Sequence, residues 1–88
     1  MEEKKTVLDR LIYLAALGAP IANLPQLFQV WSTKSAQGVS LLSWTLFAVI
    51  SLVWLAYGIE KRDKPIILMY ALLVIIQMGI ALGTHIYV

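Results

Sequence analysis

The sequence of 88 residues contains no cysteine. The chain can therefore form no disulfide, and it offers neither a thiolate nucleophile nor a sulfur ligand for a metal. Histidine is scarce as well, and the single His85 has no carboxylate near it in sequence with which to build a metal site. No combination of nucleophile, base and acid is present. The sequence thus predicts a protein that is not an enzyme and that holds no metal or cofactor.

Charged residues are few and segregated. Asp, Glu, Lys and Arg make up 14% of the chain and 60% is hydrophobic, whereas a typical soluble domain is about 25% charged. Six of the twelve charged residues lie in 1–10 and five in 60–64, which leaves only Lys34 elsewhere. The net charge of +2 is too small and too divided for a nucleic-acid-binding patch. The sequence predicts an integral membrane protein in contact with lipid.

Three uncharged stretches are long enough to cross a bilayer as helices, which takes about 20 apolar residues each. They are residues 11–31, 39–59 and 66–86. The connections, 32–38 and 60–65, are short, so consecutive helices must run antiparallel. Gly38 is expected at positive φ in a turn, and Pro65 in the first turn of the third helix. The fold class predicted for residues 1–88 is an all-α membrane protein forming a single three-transmembrane-helix bundle.

The first span contains two prolines and two amides: Pro20, Asn23, Pro25 and Gln26. A proline inside a helix frees the carbonyl four residues earlier, and in hydrocarbon only protein or a water-lined cavity can satisfy it. The pattern allows two interpretations: a kinked helix whose polar side faces a cavity, or a static kink with amides bonding between helices. The same polar residues and the length of the stretch favour a retained helix over a cleaved signal peptide.

The pair Pro25–Gln26 is followed by further motifs. These are Trp31, Ser-Thr-Lys-Ser at 32–35, Gly-Val-Ser at 38–40, Trp-Leu-Ala-Tyr-Gly-Ile at 54–59 and Asp-Lys-Pro-Ile-Ile-Leu at 63–68. Together they resemble the PQ-loop superfamily and, more narrowly, the bacterial SemiSWEETs, half-size relatives of the SWEET sugar transporters. The resemblance covers residues 11–86.

This resemblance implies a parallel homodimer of two bundles, each with its third helix between the first two, in a bacterial inner membrane. It implies that a mono- or disaccharide crosses along the two-fold axis by uniport with alternating access. It also assigns residues: a hinge at Pro25 and Gln26, a sugar contact at Trp54, and a gate of Tyr57, Lys61 and Asp63. In the family, an asparagine on the third helix usually binds sugar, and in this sequence Tyr70 replaces it. Asn23 on the first helix supplies an amide from another side of the pocket.

Two patterns mark the third helix. Tyr70, Gln77 and Thr84 recur every seven residues and share one side. These residues either line a pathway or form hydrogen bonds between helices. The first alternative adds Gln77 to the substrate-binding candidates. Gly79 and Gly83 form a GxxxG pattern on the opposite side, which predicts close packing on another helix or on a second copy of the chain.

On the second helix, Ser51 and the other serines predict tight packing. Trp31 and Trp44 lie near span ends and are interpreted as interfacial anchors. Trp54 lies deeper, where an indole face can pack on the C–H face of a sugar while its N–H donates a hydrogen bond.

Two alternatives to a sugar carrier stay open. One is a carrier of another metabolite such as a small carboxylate, which Tyr70 and Asn23 motivate. The other is a non-transporting membrane protein, either a holin-like pore former or an assembly subunit. For any carrier, spans without Asp, Glu, Lys or Arg favour uniport over proton coupling.

Signals about membrane orientation disagree. One side carries six basic residues and the other carries only Lys34; the six are Lys4, Lys5, Arg10, Lys61, Arg62 and Lys64. The positive-inside rule places the six in the cytoplasm. Family precedent implies the reverse.

Overall fold

The computed structural model of the chain describes residues 6–88, and this part contains three helices. They are α1 (Val7–Thr33), α2 (Leu41–Lys61) and α3 (Lys64–Ile86). Each is long and apolar enough to cross a membrane. The predicted all-α, three-helix fold is confirmed. Lys4 and Lys5 of the N-terminal basic cluster lie outside the described residues.

The helices extend beyond the uncharged stretches because polar residues cap them. At the start of α1, Thr6 and Asp9 form a capping box: the Thr6 hydroxyl accepts from Asp9 N at 3.3 Å and the Asp9 carboxylate accepts from Thr6 N at 2.7 Å. Such reciprocal bonds satisfy two of the backbone donors that a helix start leaves free. α1 therefore begins at Val7, four residues before the apolar stretch.

The two connections close tightly. Lys34 and Arg62 end α1 and α2 in the left-handed conformation, each at φ 53°. Asp63 then caps α3, since its carboxylate accepts from Ile66 N at 3.2 Å. Gly38 has φ 79° and Pro65 lies in the first turn of α3, as predicted.

α3 lies between the other two helices. It packs on both α1 and α2, whereas α1 and α2 do not contact each other within residues 6–88. α3 accordingly has seven buried residues, whereas α1 and α2 have three each, and those of α3 include Leu73, Ile76, Ile80 and Thr84. This arrangement confirms the helix order that the resemblance implied.

The helix directions follow from contacts along α3. Ile12, near the start of α1, and Ile66, near the start of α3, line the same small cavity, while Trp31 near the end of α1 reaches Gly79. α1 and α3 are therefore parallel. α2 is antiparallel to both, because Gly58 near its end meets Ile66.

The three helices form one layer. In residues 6–88, α1 and α2 each pack on α3 and not on each other, and the dimensions of the chain are 54 × 23 × 14 Å. Large apolar side chains are exposed along all three helices, as with Leu42 and Ile75, each 69% exposed. Such a surface requires lipid or another protein to cover it.

Close packing between α1 and α3 predicts opposite effects of two glycine substitutions. A Cβ at Gly83 would lie 2.8 Å from Trp31 Nε1 and 2.9 Å from Val30 Cγ1, whereas a Cβ at Gly18 would meet nothing within 4 Å. We expect Gly83→Ala to lower the free energy of unfolding in detergent by about 1–3 kcal/mol, the usual cost of overpacking. Gly18→Ala is the matched control and should raise it by up to about 1 kcal/mol. Equal effects of the two substitutions would show that Gly83 does not set the distance between the helices.

Candidate functional site

An aromatic group lies between α2 and α3 near the end of the bundle that carries the 62–63 connection. The Trp54 ring stacks on Tyr70, with centroids 5.6 Å apart and planes at 10°. Tyr57 meets Trp54 almost perpendicularly, at 5.7 Å and 81°. The Lys61 ammonium lies 5.9 Å from the centroid of the Tyr57 ring. The structure thus joins three residues from α2 with one from α3, and Trp54, Tyr57 and Tyr70 are named the aromatic group below.

The sequence explains why these rings meet. Trp54, Tyr57 and Lys61 are spaced by three and four residues, which places them along one side of α2. Gly58 lies against Ile66, where an added Cβ would be 2.7 Å from Cγ2 of the isoleucine. Because α3 runs antiparallel to α2, this contact brings Tyr70, one turn further along α3, opposite Trp54.

The aromatic group is open to its surroundings. Trp54 is 44% exposed and Tyr57 46% exposed, and Tyr70 is half-buried. The exposed Trp54 and Tyr57 side chains carry an indole N–H and a phenol hydroxyl, groups that can form hydrogen bonds with a solute.

Gln77 is one of two polar residues that α2 and α3 bury against each other. The Ser51 hydroxyl donates to Gln77 Oε1 at 2.6 Å, and the two residues are only 3% and 7% exposed. Thr84, which shares the stripe with Gln77, donates to Ile80 O at 2.7 Å within its own helix. The stripe of Tyr70, Gln77 and Thr84 was expected either to line a pathway or to form hydrogen bonds between helices. For Gln77, the single chain shows a hydrogen bond between helices.

The polar residues of α1 lie apart from the aromatic group. Asn23 donates from Nδ2 to Ala19 O at 2.9 Å, a bond within α1. Pro25 is exposed and Gln26 is half-buried, and α1 stays helical through both of its prolines. Since α1 does not contact α2 within the described part of the chain, Asn23 and the Pro25–Gln26 pair are not adjacent to Trp54.

Two members of the expected gate have separate partners. Lys61 lies over the Tyr57 ring, whereas the Asp63 carboxylate caps the start of α3. Both are at the same end of the bundle, within three residues of each other.

The sequence analysis did not predict that Trp31 would join α1 to α3. Its Nε1 donates to Gly79 O on α3 at 2.9 Å, and its ring meets Tyr87 edge-on at 5.6 Å. Gly83 allows this approach, because an added Cβ there would lie 2.8 Å from Trp31 Nε1. A Cβ at Gly79 would lie 3.0 Å from Leu27 Cδ1, so the GxxxG pattern packs on α1 within one chain. The GxxxG pattern was the available signal, but sequence alone did not show which residue of another helix would reach it.

Comparison with known proteins identifies the family of the chain. Residues 7–87 match the family described as "Sugar efflux transporter for intercellular exchange". The chain belongs to this family. A family of transporters confirms the prediction that the chain is not an enzyme. The spanning helices and bacterial relatives of the chain make it an integral protein of a bacterial membrane.

Three curated relatives are each named "Sugar transporter SemiSWEET". The protein of Vibrio sp. (strain N418) is 36% identical over 61 residues, which are 67% of this chain and 63% of the relative. The Leptospira biflexa protein is 36% identical over 56 residues, 64% of this chain and 66% of the relative. The Bradyrhizobium diazoefficiens protein is 31% identical over 68 residues, 77% and 79% of the two chains. The matched part is thus just under two thirds of the length of the first two relatives. No solved structure matches the chain.

The Ser51–Gln77 bond predicts a stability effect that a control on the same helix should not show. Ser51→Ala removes the donor and leaves Gln77 Oε1 unpaired in the interface, so we expect the free energy of unfolding in detergent to fall by about 0.5–2 kcal/mol, the measured range for hydrogen bonds between membrane helices. In Ser43→Ala the altered side chain is half-exposed and its backbone cap to Ser40 is kept. Equal stability of the two variants would contradict a structural role for the Ser51–Gln77 bond.

Proposed function

We propose that the chain is a facilitative carrier of a mono- or disaccharide, working by alternating access along the axis of a parallel homodimer in the inner membrane. The observation that carries the proposal is the exposed aromatic group within spans that have no formal charge. The names of the three relatives support the solute class.

The chemistry of the aromatic group suits a sugar. An indole face offers a broad apolar surface for the C–H face of a sugar ring, and the indole N–H of Trp54 and the hydroxyl of Tyr57 can exchange hydrogen bonds with sugar hydroxyls. A carboxylate suits it less, because the face of an aromatic ring carries partial negative charge. The nearest cation, Lys61, already lies over Tyr57.

The shape of the chain supports a second copy as its partner. The single layer of three helices has no interior, and α1 and α2 do not close on each other within residues 6–88. Two layers that face each other would enclose a pathway between them. The aromatic group of each chain would then line that pathway, with Asn23 as a further polar candidate. Gln77 would have to leave its bond with Ser51 to join them.

Passive movement follows from the electrostatics of the spans. Proton-coupled carriers generally need an ionisable group inside the membrane, and residues 35–59 and 65–88 contain no Asp, Glu, Lys or Arg. Uphill accumulation of solute under an imposed pH gradient would contradict uniport.

Uptake into liposomes tests the solute and the site together. Purified wild-type protein should equilibrate at least one sugar of a mono- and disaccharide panel, and Trp54→Leu should slow uptake at least about tenfold, since a contact of about 1.4 kcal/mol is worth that factor. Trp44→Leu is the matched control, because Trp44 is on the same helix but packs with Phe47 near the start of α2. Uptake of carboxylates alone would reject the sugar, and uptake of nothing on the panel would reject the carrier.

The proposed hinge predicts a change in kinetics without a loss of binding. Pro25 has no N–H for Ile21 O, so Pro25→Ala would add the missing helix bond, which favours the straight helix by up to about 3 kcal/mol. We expect Pro25→Ala to bind solute as the wild type does and to exchange it more slowly across the liposome membrane. Pro20→Ala adds a bond in the same helix away from the proposed hinge and is the control. Wild-type exchange by Pro25→Ala would mean that Pro25 is not a hinge.

A further inference from the structure

Resting on the proposed function, we infer that Tyr70 is a positioning residue: its ring, and not its hydroxyl, holds the Trp54 indole so that solute packs on the uncovered part of the indole. Trp54 is then the residue that touches solute, and Tyr70 determines how Trp54 is presented. This role differs from direct hydrogen bonding of solute by residue 70.

The geometry of the pair is that of an offset stack. The planes are nearly parallel, at 10°, with centroids 5.6 Å apart. Carbon atoms in contact are separated by about 3.5–4.0 Å, so two parallel rings at this centroid distance must be displaced sideways. Offset stacks are a favoured arrangement of aromatic pairs. Tyr70 therefore occupies part of one indole face.

Tyr57 limits the approaches further. Its plane is at 81° to that of Trp54, with centroids 5.7 Å apart. Two protein rings thus contact the indole from different directions, yet 44% of Trp54 is still exposed. The part of the indole surface that neither tyrosine covers is what is left for a solute.

The Ser51–Gln77 hydrogen bond, which joins α2 to α3, does not involve Trp54 and lies about one turn away along α2. Without the Tyr70 ring, the Trp54 indole would lose its stacking partner, and its side chain would be freer to rotate. Solute binding would then have to order the indole as well, which lowers affinity.

Three variants separate the ring from the hydroxyl. Tyr70→Phe keeps the ring and removes the hydroxyl, Tyr70→Leu removes the ring, and Tyr70→Met is a second aliphatic variant for use if leucine prevents folding. Each is purified as the full chain and reconstituted in liposomes with the sugar that the wild type transports best. The measurements are KM and maximal rate of uptake, and acrylamide quenching of tryptophan fluorescence in detergent, with Trp54→Phe giving the contribution of the other two tryptophans.

The expected pattern is a rise of KM in Tyr70→Leu or Tyr70→Met by about two- to tenfold, which is what the energy of one aromatic pair converts to. The maximal rate should be kept, quenching of Trp54 should increase, and Tyr70→Phe should restore wild-type values in both measurements. An equal defect in Tyr70→Phe would overturn the inference, because the hydroxyl would then be a direct contact. Unchanged KM and quenching in the aliphatic variants would overturn it as well.

Failure of the proposed function can be told from failure of this inference. If the wild type transports no sugar on the panel, the proposed function fails, and quenching decides the role of Tyr70. Greater quenching of Trp54 in the aliphatic variants, restored by Tyr70→Phe, would then support the positioning role. Equal quenching in all variants would reject it.

Discussion

Within residues 6–88, α3 takes part in every helix–helix contact. In lipid there is no hydrophobic force between helices, so association depends on close van der Waals packing and on hydrogen bonds between helices. α3 provides both on each side. Toward α1 it presents Gly79 and Gly83, and toward α2 it presents Gln77 and the residues that pack around Gly58. The position of everything on α1 and α2 therefore depends on its register against α3.

The aromatic group lies between two fixed contacts of the α2–α3 interface. On one side Gly58 allows Ile66 to approach to van der Waals contact, and on the other the Ser51–Gln77 bond joins the helices. These contacts hold the α2 and α3 backbones at a set distance and register. The stacking of Trp54 on Tyr70 is a consequence of that register, so the site is located by neighbouring residues that need not touch solute.

The sequence was sufficient for the number and type of helices, because uncharged stretches of this length have no other stable form in a membrane. It was less informative about helix ends, since α1 begins at a capping box formed by Thr6 and Asp9, outside the apolar stretch. The resemblance identified Trp54 and Tyr70 but could not show that they stack, because that depends on the approach at Gly58. For Gln77 the sequence allowed either a role in lining a pathway or a hydrogen bond between helices. The structure distinguishes them through Ser51, the hydrogen-bond partner of Gln77, which lies on another helix.

The α1–α3 interface constrains how a hinge at Pro25 could operate. Before Pro25, the start of α1 packs on the start of α3, where Ile12, Ala16 and Met69 line one cavity. After Pro25, Trp31 bonds to Gly79 O near the other end of α3. A bend of α1 alone would have to break one of these two attachments. If both persist, the end of α3 must move with the end of α1, so the proposed alternation would move α1 and α3 together against the aromatic group of the second chain.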